Sequence, residues 1–299
     1  MNESRPTRVY PILALGLICF AMSPILIRFA DEAPAMAIAV WRTALAAVLL
    51  LPFAFRRIGK EVRQFSRREW GLIIGAGIML GLHFVAWIES LYHTTVASAS
   101  VLVWTNPIIM AVLGFFFLHE RISRGLALGI ALAMGGAALL GWGDWTDTSG
   151  QASNPMLGNG LAFTAAVLVS IYLVIGRVVR QRYSWLAYVL PLYGVVSLTT
   201  LGMALMLDTP LFGYSPTFYV LCLLMALGPS IAGHGSFNYA VRYLPVALLG
   251  VLSLLEPVGA SIAAYFLFDE IPNLFAVIGM LLVLFGVTFA LRTKDRSHG

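Results

Sequence analysis

Residues 105–123 read TNPIIMAVLGFFFLHERIS, and residues 255–272, beginning 150 positions later, read LEPVGASIAAYFLFDEIP. Asn106-Pro107 and Glu256-Pro257 each set a polar residue and a proline inside an apolar stretch of about 24 residues. From each proline the same spacing runs on: an acid 13 residues later (Glu120, Glu270), a glycine 9 further (Gly129, Gly279) and another 7 further (Gly136, Gly286). Four markers held in one register identify an internal duplication. A proline deep in an apolar helix removes one backbone hydrogen bond and clashes with the preceding turn. Carbonyls freed in this way inside a bilayer must line a cavity or be buried in protein. Pro107 and Pro257 are therefore predicted to break their helices, as are Pro24 and Pro229, the latter following Gly228.

Composition settles the environment. Hydrophobic residues make up 60% of the 299-residue chain and charged residues 11%, with a mean hydropathy of +0.87. Soluble domains lie nearer ~45–50% apolar and ~25% charged. Apolar runs of roughly 20 residues, the length that spans a bilayer, recur from end to end. Short alternating segments, the mark of a transmembrane β-barrel, are missing. The expected fold is an all-α membrane protein. Its first apolar run, Val9 to about Ala30, carries Pro24 and Arg28 and is too long for a signal-peptide core, so it reads as a retained span. Cys19 and Cys222 both fall inside predicted spans and read as small core residues.

Ten spans are expected, at 9–30, 34–55, 70–91, 95–118, 124–143, 156–176, 185–207, 217–240, 246–268 and 274–291. They group as a first five-helix repeat (1–143), an outside linker (144–155) and a second repeat with a short cytoplasmic tail (156–299). With the N-terminus in the cytoplasm, 17 of the 19 lysines and arginines fall on inside segments, and the other two, Arg28 and Arg42, lie within spans. Outside loops carry Asp31, Glu32, Asp144, Asp147, Asp208, Asp269 and Glu270 instead. This satisfies the positive-inside rule at every loop. The net charge of +5 is thus accounted for by topology, and nucleic acid is not an expected partner. Five spans per half is an odd number, so the second repeat enters the membrane inverted relative to the first. Inverted repeats are a recurring plan for secondary transporters, with substrate near the midplane.

Intramembrane polar groups supply the candidate binding residues. A carboxyl at mid-depth is functional by default, so Glu256 either accepts a substrate ammonium or stays protonated away from water. Ser253 lies one turn before it, and Asn106 is its neutral counterpart in the first repeat. In span eight, Ser230, His234 and Asn238 stand at i, i+4 and i+8, which is one face of an α-helix. Span three answers with His83 and Trp87 at i, i+4. Trp104, two residues before Asn106, is placed to wall a pocket, with Phe20 and Tyr172 as further aromatic candidates. Glu89 reads as a coupling or gate residue, or as a partner for Arg28 or Arg42, and ion pairing is the reading favoured for the two arginines. No metal site is expected, because the histidines lack Cys or carboxylate partners at ligand spacing. The small-residue pairs Gly71/Gly75, Gly77/Gly81 and Gly125/Gly129 permit close helix contacts. They serve internal packing or a dimer face, consistent with a monomer or weak homodimer in the lipid bilayer.

The stretches Tyr92–Gly136 and Tyr243–Gly286, with their Pro-x12-Glu spacing, resemble the EamA-type family of the drug/metabolite transporter superfamily, over nearly the whole chain. Within it, the short loops, the Leu-Ile-Arg ending at Arg28 and the region around Trp104 are similar to bacterial amino-acid exporters of the YddG type. The resemblance implies export of amino acids, aromatic or apolar ones favoured, and of related metabolites or cationic drugs, through a central cavity by alternating access at the inner membrane. It requires no cofactor. Span one has no acidic residue, so the proton-coupling scheme of the small four-helix multidrug relatives does not carry over. The alternative is a proton-coupled efflux pump for organic cations or drugs, with Glu256 or Glu89 titrating. An enzyme is not expected: the chain has no phosphate-cradling glycine loop, paired-histidine protease motif or Gly-x-Ser-x-Gly elbow.

Overall fold

The computed structural model of the protein describes residues 7–57, 59–94, 96–145, 153–269 and 271–295, and the regular elements among them are all helices. Glu270 of the repeated motif and residues 146–152 of the expected linker lie outside the described residues. Nine described stretches are long and apolar enough to cross a bilayer: Val9–Phe29, Ala35–Phe53, Arg67–His93, Ser98–Leu118, Pro155–Arg180, Trp185–Met206, Pro216–Ala240, Val246–Leu267 and Leu274–Arg292. A further apolar stretch, Arg124–Leu140, is shorter, although its helix continues to Trp145. The side chains outside and inside are distributed as a lipid solvent requires. Large apolar groups such as Phe116, Leu198 and Phe266 are exposed, while Arg42, Arg180, His234 and Asn238 are buried. The protein is a multi-pass membrane protein.

Prolines mark where the spans are interrupted. Span one is two helices, Val9–Ala21 and Ser23–Phe29, with Pro24 in the first turn of the second. Val96–Val103 gives way to Asn106–Leu118, which begins at Asn106-Pro107. Val246–Ser253 gives way to Leu255–Phe268, with Glu256 and Pro257 in its first turn. Proline is tolerated in a first turn because its missing N–H would have no intrahelical partner there. Pro52 and Pro191, by contrast, lie inside helices that run on past them.

The duplication is also written in the backbone. His119 and Asp269, again 150 positions apart, end the Asn106–Leu118 and Leu255–Phe268 helices in the left-handed conformation, with φ of 55° and 54°. A left-handed residue at a helix C-terminus lets the final amides reach back to orphan carbonyls. His119 N–H does so to Gly114 O, and Asp269 N–H to Ala264 O.

The chain packs as two compact units, Met1–Val85 with Ile175–Leu244, and Ala86–Val174 with Pro245–Gly299. In the first, Ala35–Arg57 lies along Trp185–Met206, where Thr43 and Thr200 share a hydroxyl hydrogen bond of 2.9 Å. Gly77 and Gly81 face the same helix, and a Cβ on them would meet Val195 at 2.6 Å and Thr199 at 3.0 Å. Gly71 and Gly75 have open space instead. At one end of this unit Ser66 and Glu69 form a capping box: each main-chain N–H bonds the other's side chain. Glu69 also accepts from Tyr183 Oη at 2.8 Å, and Glu61 accepts from Ser184 N at 2.8 Å. Burial, and then the Glu69 carboxylate, push the Tyr183 phenol up. At the other end Glu32 accepts from Ser215 N and Oγ.

The second unit is held by the repeated glycines themselves. Arg124–Trp145 packs against Leu274–Asp295 so closely that a Cβ on Gly136 would stand 2.6 Å from Gly279 O. A Cβ on Gly286 would stand 2.5 Å from Ala133 N, and one on Gly129 3.0 Å from Gly286 O. As one helix is followed from Gly129 to Gly136 its neighbour is traversed from Gly286 to Gly279, so the two equivalent helices run antiparallel. Small residues allow this approach, and close van der Waals packing drives helix association in lipid.

Candidate functional site

Span eight departs from the α-helix. Pro216–Met225 leads into a nine-residue π-helix, Ala226–His234, with Pro229 inside it, and then into Gly235–Ala240. π-Helix is rare, and π turns inside α-helices are frequent at functional sites. Side chains of the same unit bond the carbonyls along the distorted span. Tyr193 Oη donates to Ser230 O, Trp185 Nε1 to Gly235 O at 2.8 Å, and Arg180 Nε to Asn238 O at 2.9 Å. Ser230 O within the π-helix, and Gly235 O and Asn238 O just beyond it, are thus bonded by protein side chains, which is how a bilayer tolerates irregular backbone.

Around this segment the first unit assembles a polar and aromatic cluster. His234 meets Phe20 edge-on at 4.8 Å between ring centroids, Phe84 at 5.0 Å and His83 at 5.9 Å. Phe20 fits there because Gly233 has no side chain; a Cβ would collide with its ring at 2.6 Å. Ser230 Oγ accepts from Arg42 Nε at 3.2 Å and from Nη2 at 3.1 Å. The Arg42 guanidinium lies over the Phe84 ring, 4.4 Å from its centroid, a cation–π arrangement. Phe20, His83, Ser230 and His234 are thus brought together. Asn238, expected on the same face, has its Oδ1 near Gly176 instead. The i, i+4, i+8 pattern presupposes one continuous α-helix, whereas Ser230 and His234 lie in the π-helix and Asn238 in the α-helix Gly235–Ala240 that follows it.

In the second unit the two interrupted spans are pinned to each other. Asn106 Nδ2 donates to Ser253 Oγ at 3.2 Å, and Ser253 Oγ also donates to Gly250 O at 2.7 Å. Gly250 lies against Pro107, where a Cβ would stand 2.7 Å from Pro107 Cα. Glu120 Oε2 accepts from Val246 N at 3.0 Å, so the acid of the repeated motif caps the first helix of span nine. Trp87, Trp104 and Tyr172 are buried, and Glu256 is half-buried in the first turn after the break. Glu89, read as a gate or an arginine partner, contacts His93 one turn on, Oε1 to Nε2 at 3.1 Å. Among the described residues no group of three or more His, Cys, Asp or Glu side chains converges as a metal site.

Two members of the first cluster, Arg42 and Phe84, and Tyr193, which bonds the Ser230 carbonyl beside it, are not among the sequence candidates. The sequence favours ion pairing for Arg42, and Phe84 and Tyr193 carry no signal of their own. Phe84 adjoins His83 in sequence, but its contact with His234 depends on helices 150 residues apart. The one available signal for Arg42 was a guanidinium at depth in an apolar span.

Residues 8–142 and 156–292 each match the family described as "EamA-like transporter family". An uncharacterized transporter of Pseudomonas aeruginosa is 27% identical over 283 residues, covering 90% of this chain and 88% of that one. A Streptantibioticus cattleyicolor protein named "Probable terminal-alkyne amino-acid exporter" is 28% identical over 200 residues, 65% of this chain and 64% of that one. Mouse solute carrier family 35 member G1 is 23% identical over 292 residues, 92% of this chain and 76% of that one. A protein of known crystal structure shares the fold, with a TM-score of 0.82 over 99% of this chain and 100% of that one, at 18% identity.

Proposed function

The chain belongs to the EamA-like transporter family, and from that premise we propose that it exports amino acids, aromatic or apolar ones favoured, across a bacterial inner membrane. The observation that carries the reading is the cluster at the π-helix: two imidazoles, a guanidinium and a hydroxyl wrapped by Phe20 and Phe84 inside a membrane-spanning bundle. Polar groups of this kind suit the charged backbone of an amino acid, and the rings suit an aromatic or apolar side chain. The resemblance to the named amino-acid exporter supports the same substrate class.

In this reading the two halves are inverted five-span repeats, ten spans in all, with both termini cytoplasmic, and transport proceeds by alternating access. The antiparallel packing of the equivalent helices Arg124–Trp145 and Leu274–Asp295 supports inversion. Phe20, His83, Ser230 and His234, the members of the π-helix cluster, serve the substrate.

A second reading has its own observation, the half-buried Glu256 in the first turn beyond a helix break. A carboxyl there suits a proton-coupled efflux pump for organic cations, for which Glu89 is the other candidate. Uptake into inside-out vesicles separates the two. Amino-acid uptake driven by its own gradient supports export of amino acids. Uptake confined to organic cations and abolished by collapsing the pH gradient overturns it in favour of the pump.

A further inference from the structure

The Tyr188 hydroxyl and both amide atoms of Asn238 are fully enclosed and have no hydrogen-bond partner among the described residues. Both side chains are 0% exposed. Buried polar groups are almost always bonded, to protein or to ordered water, because leaving one bare costs free energy. These two converge on one place. A Cβ on Gly176 would stand 3.0 Å from Tyr188 Oη and 3.6 Å from Asn238 Oδ1, so the bare backbone of Gly176 forms the floor between them.

We propose that this niche holds a bound water molecule, bonded to Tyr188 Oη and to the Asn238 amide above Gly176. Three chemical constraints select it. The ligand must both donate and accept, since Asn238 offers a carbonyl oxygen and an NH2 group and Tyr188 offers a hydroxyl. It must be about one heavy atom in size, because a methyl group at Gly176 already crowds the phenol. It must be uncharged: the buried Arg180 guanidinium, bonded through Nε to Asn238 O at 2.9 Å, opposes a cation in the same place, and a bare anion has no proton to donate to Asn238 Oδ1. Water meets all three, and buried waters ordinarily satisfy two to four such groups. Its effect is structural. With the Trp185–Gly235 and Arg180–Asn238 bonds it fastens the Gly235–Ala240 end of the π-containing span to its neighbours.

The test is X-ray radiolytic hydroxyl-radical labelling of the purified full-length protein, read by mass spectrometry. Radicals generated from a bound water label the side chains touching it even where bulk solvent cannot reach. Tyr188 is expected to label several-fold more than Tyr193, which is equally enclosed but has its hydroxyl bonded to Ser230 O. Gly176→Ser, which places a hydroxyl where the water stands, is expected to bring Tyr188 down to the Tyr193 level. Equal labelling of the two tyrosines in the wild type, or a Tyr188 signal that survives Gly176→Ser, overturns the proposal. Should Gly176→Ser fail to fold, the wild-type ratio decides alone.

Discussion

Gly136 and Gly279 approach so closely that a Cβ on either would lie 2.6 Å from the other's carbonyl oxygen. They are different markers of the same repeated motif, one from each half of the chain, and their contact is reciprocal. A motif that looks like a spacing rule in sequence is a packing rule in three dimensions. Substituting either residue drives a methyl group into backbone, which cannot move aside as a flexible side chain can.

Gly136→Ala is accordingly expected to destabilise the protein by about 1–3 kcal/mol, the range for overpacking a fitted interface. Its neighbour is the control: a Cβ on Gly135 meets nothing within 4 Å. Gly135→Ala is expected to leave the thermal unfolding midpoint in detergent unchanged or raised, since alanine favours a helix over glycine. Equal losses for the two substitutions would contradict the packing described.

Glu120 explains another marker. Its carboxylate accepts the Val246 N–H, one of the orphan donors at the start of Val246–Ser253. Glu120→Ala is expected to cost about 0.5–2 kcal/mol, the range for losing a helix cap. Glu120→Gln keeps an acceptor without the charge and should cost less. Chemical unfolding of the two variants in detergent checks the order.

The Asn106–Ser253 contact predicts coupling between the two interrupted spans. A double-mutant cycle with Asn106→Ala and Ser253→Ala is expected to give an interaction energy of about 0.6–1.7 kcal/mol, as measured for polar pairs between membrane helices. Strictly additive losses would mean that the pair is not joined in the membrane.

The sequence and the structure agree best where the signal is local or periodic. Apolar length marked the membrane helices, and Pro24, Pro107, Pro229 and Pro257 stand where the spans are interrupted or wound as a π-helix. The conformation of span eight was not legible. Ser230, His234 and Asn238 have α-helical spacing, and Gly228-Pro229 announces a disturbance without specifying a π-helix. Tertiary pairs were hidden for another reason. Glu120 finds Val246 across 126 residues and Arg42 finds Ser230 across 188, distances at which a single sequence carries no register. Glu89 and His93, at i and i+4 on one helix, form a pair that spacing alone makes legible, whereas Arg28 and Arg42 are the only partners named for Glu89 from the sequence.

The central claim, that the cluster at the π-helix handles an amino acid, is met most directly by counterflow in proteoliposomes. Protein is reconstituted into vesicles loaded with an unlabelled amino acid, and entry of the labelled one is followed across a panel. The account predicts counterflow of aromatic or apolar amino acids by the wild type, and its loss by tenfold or more in His83→Ala/His234→Ala reconstituted at equal folded density. Undiminished counterflow of every amino acid by that double variant would contradict it.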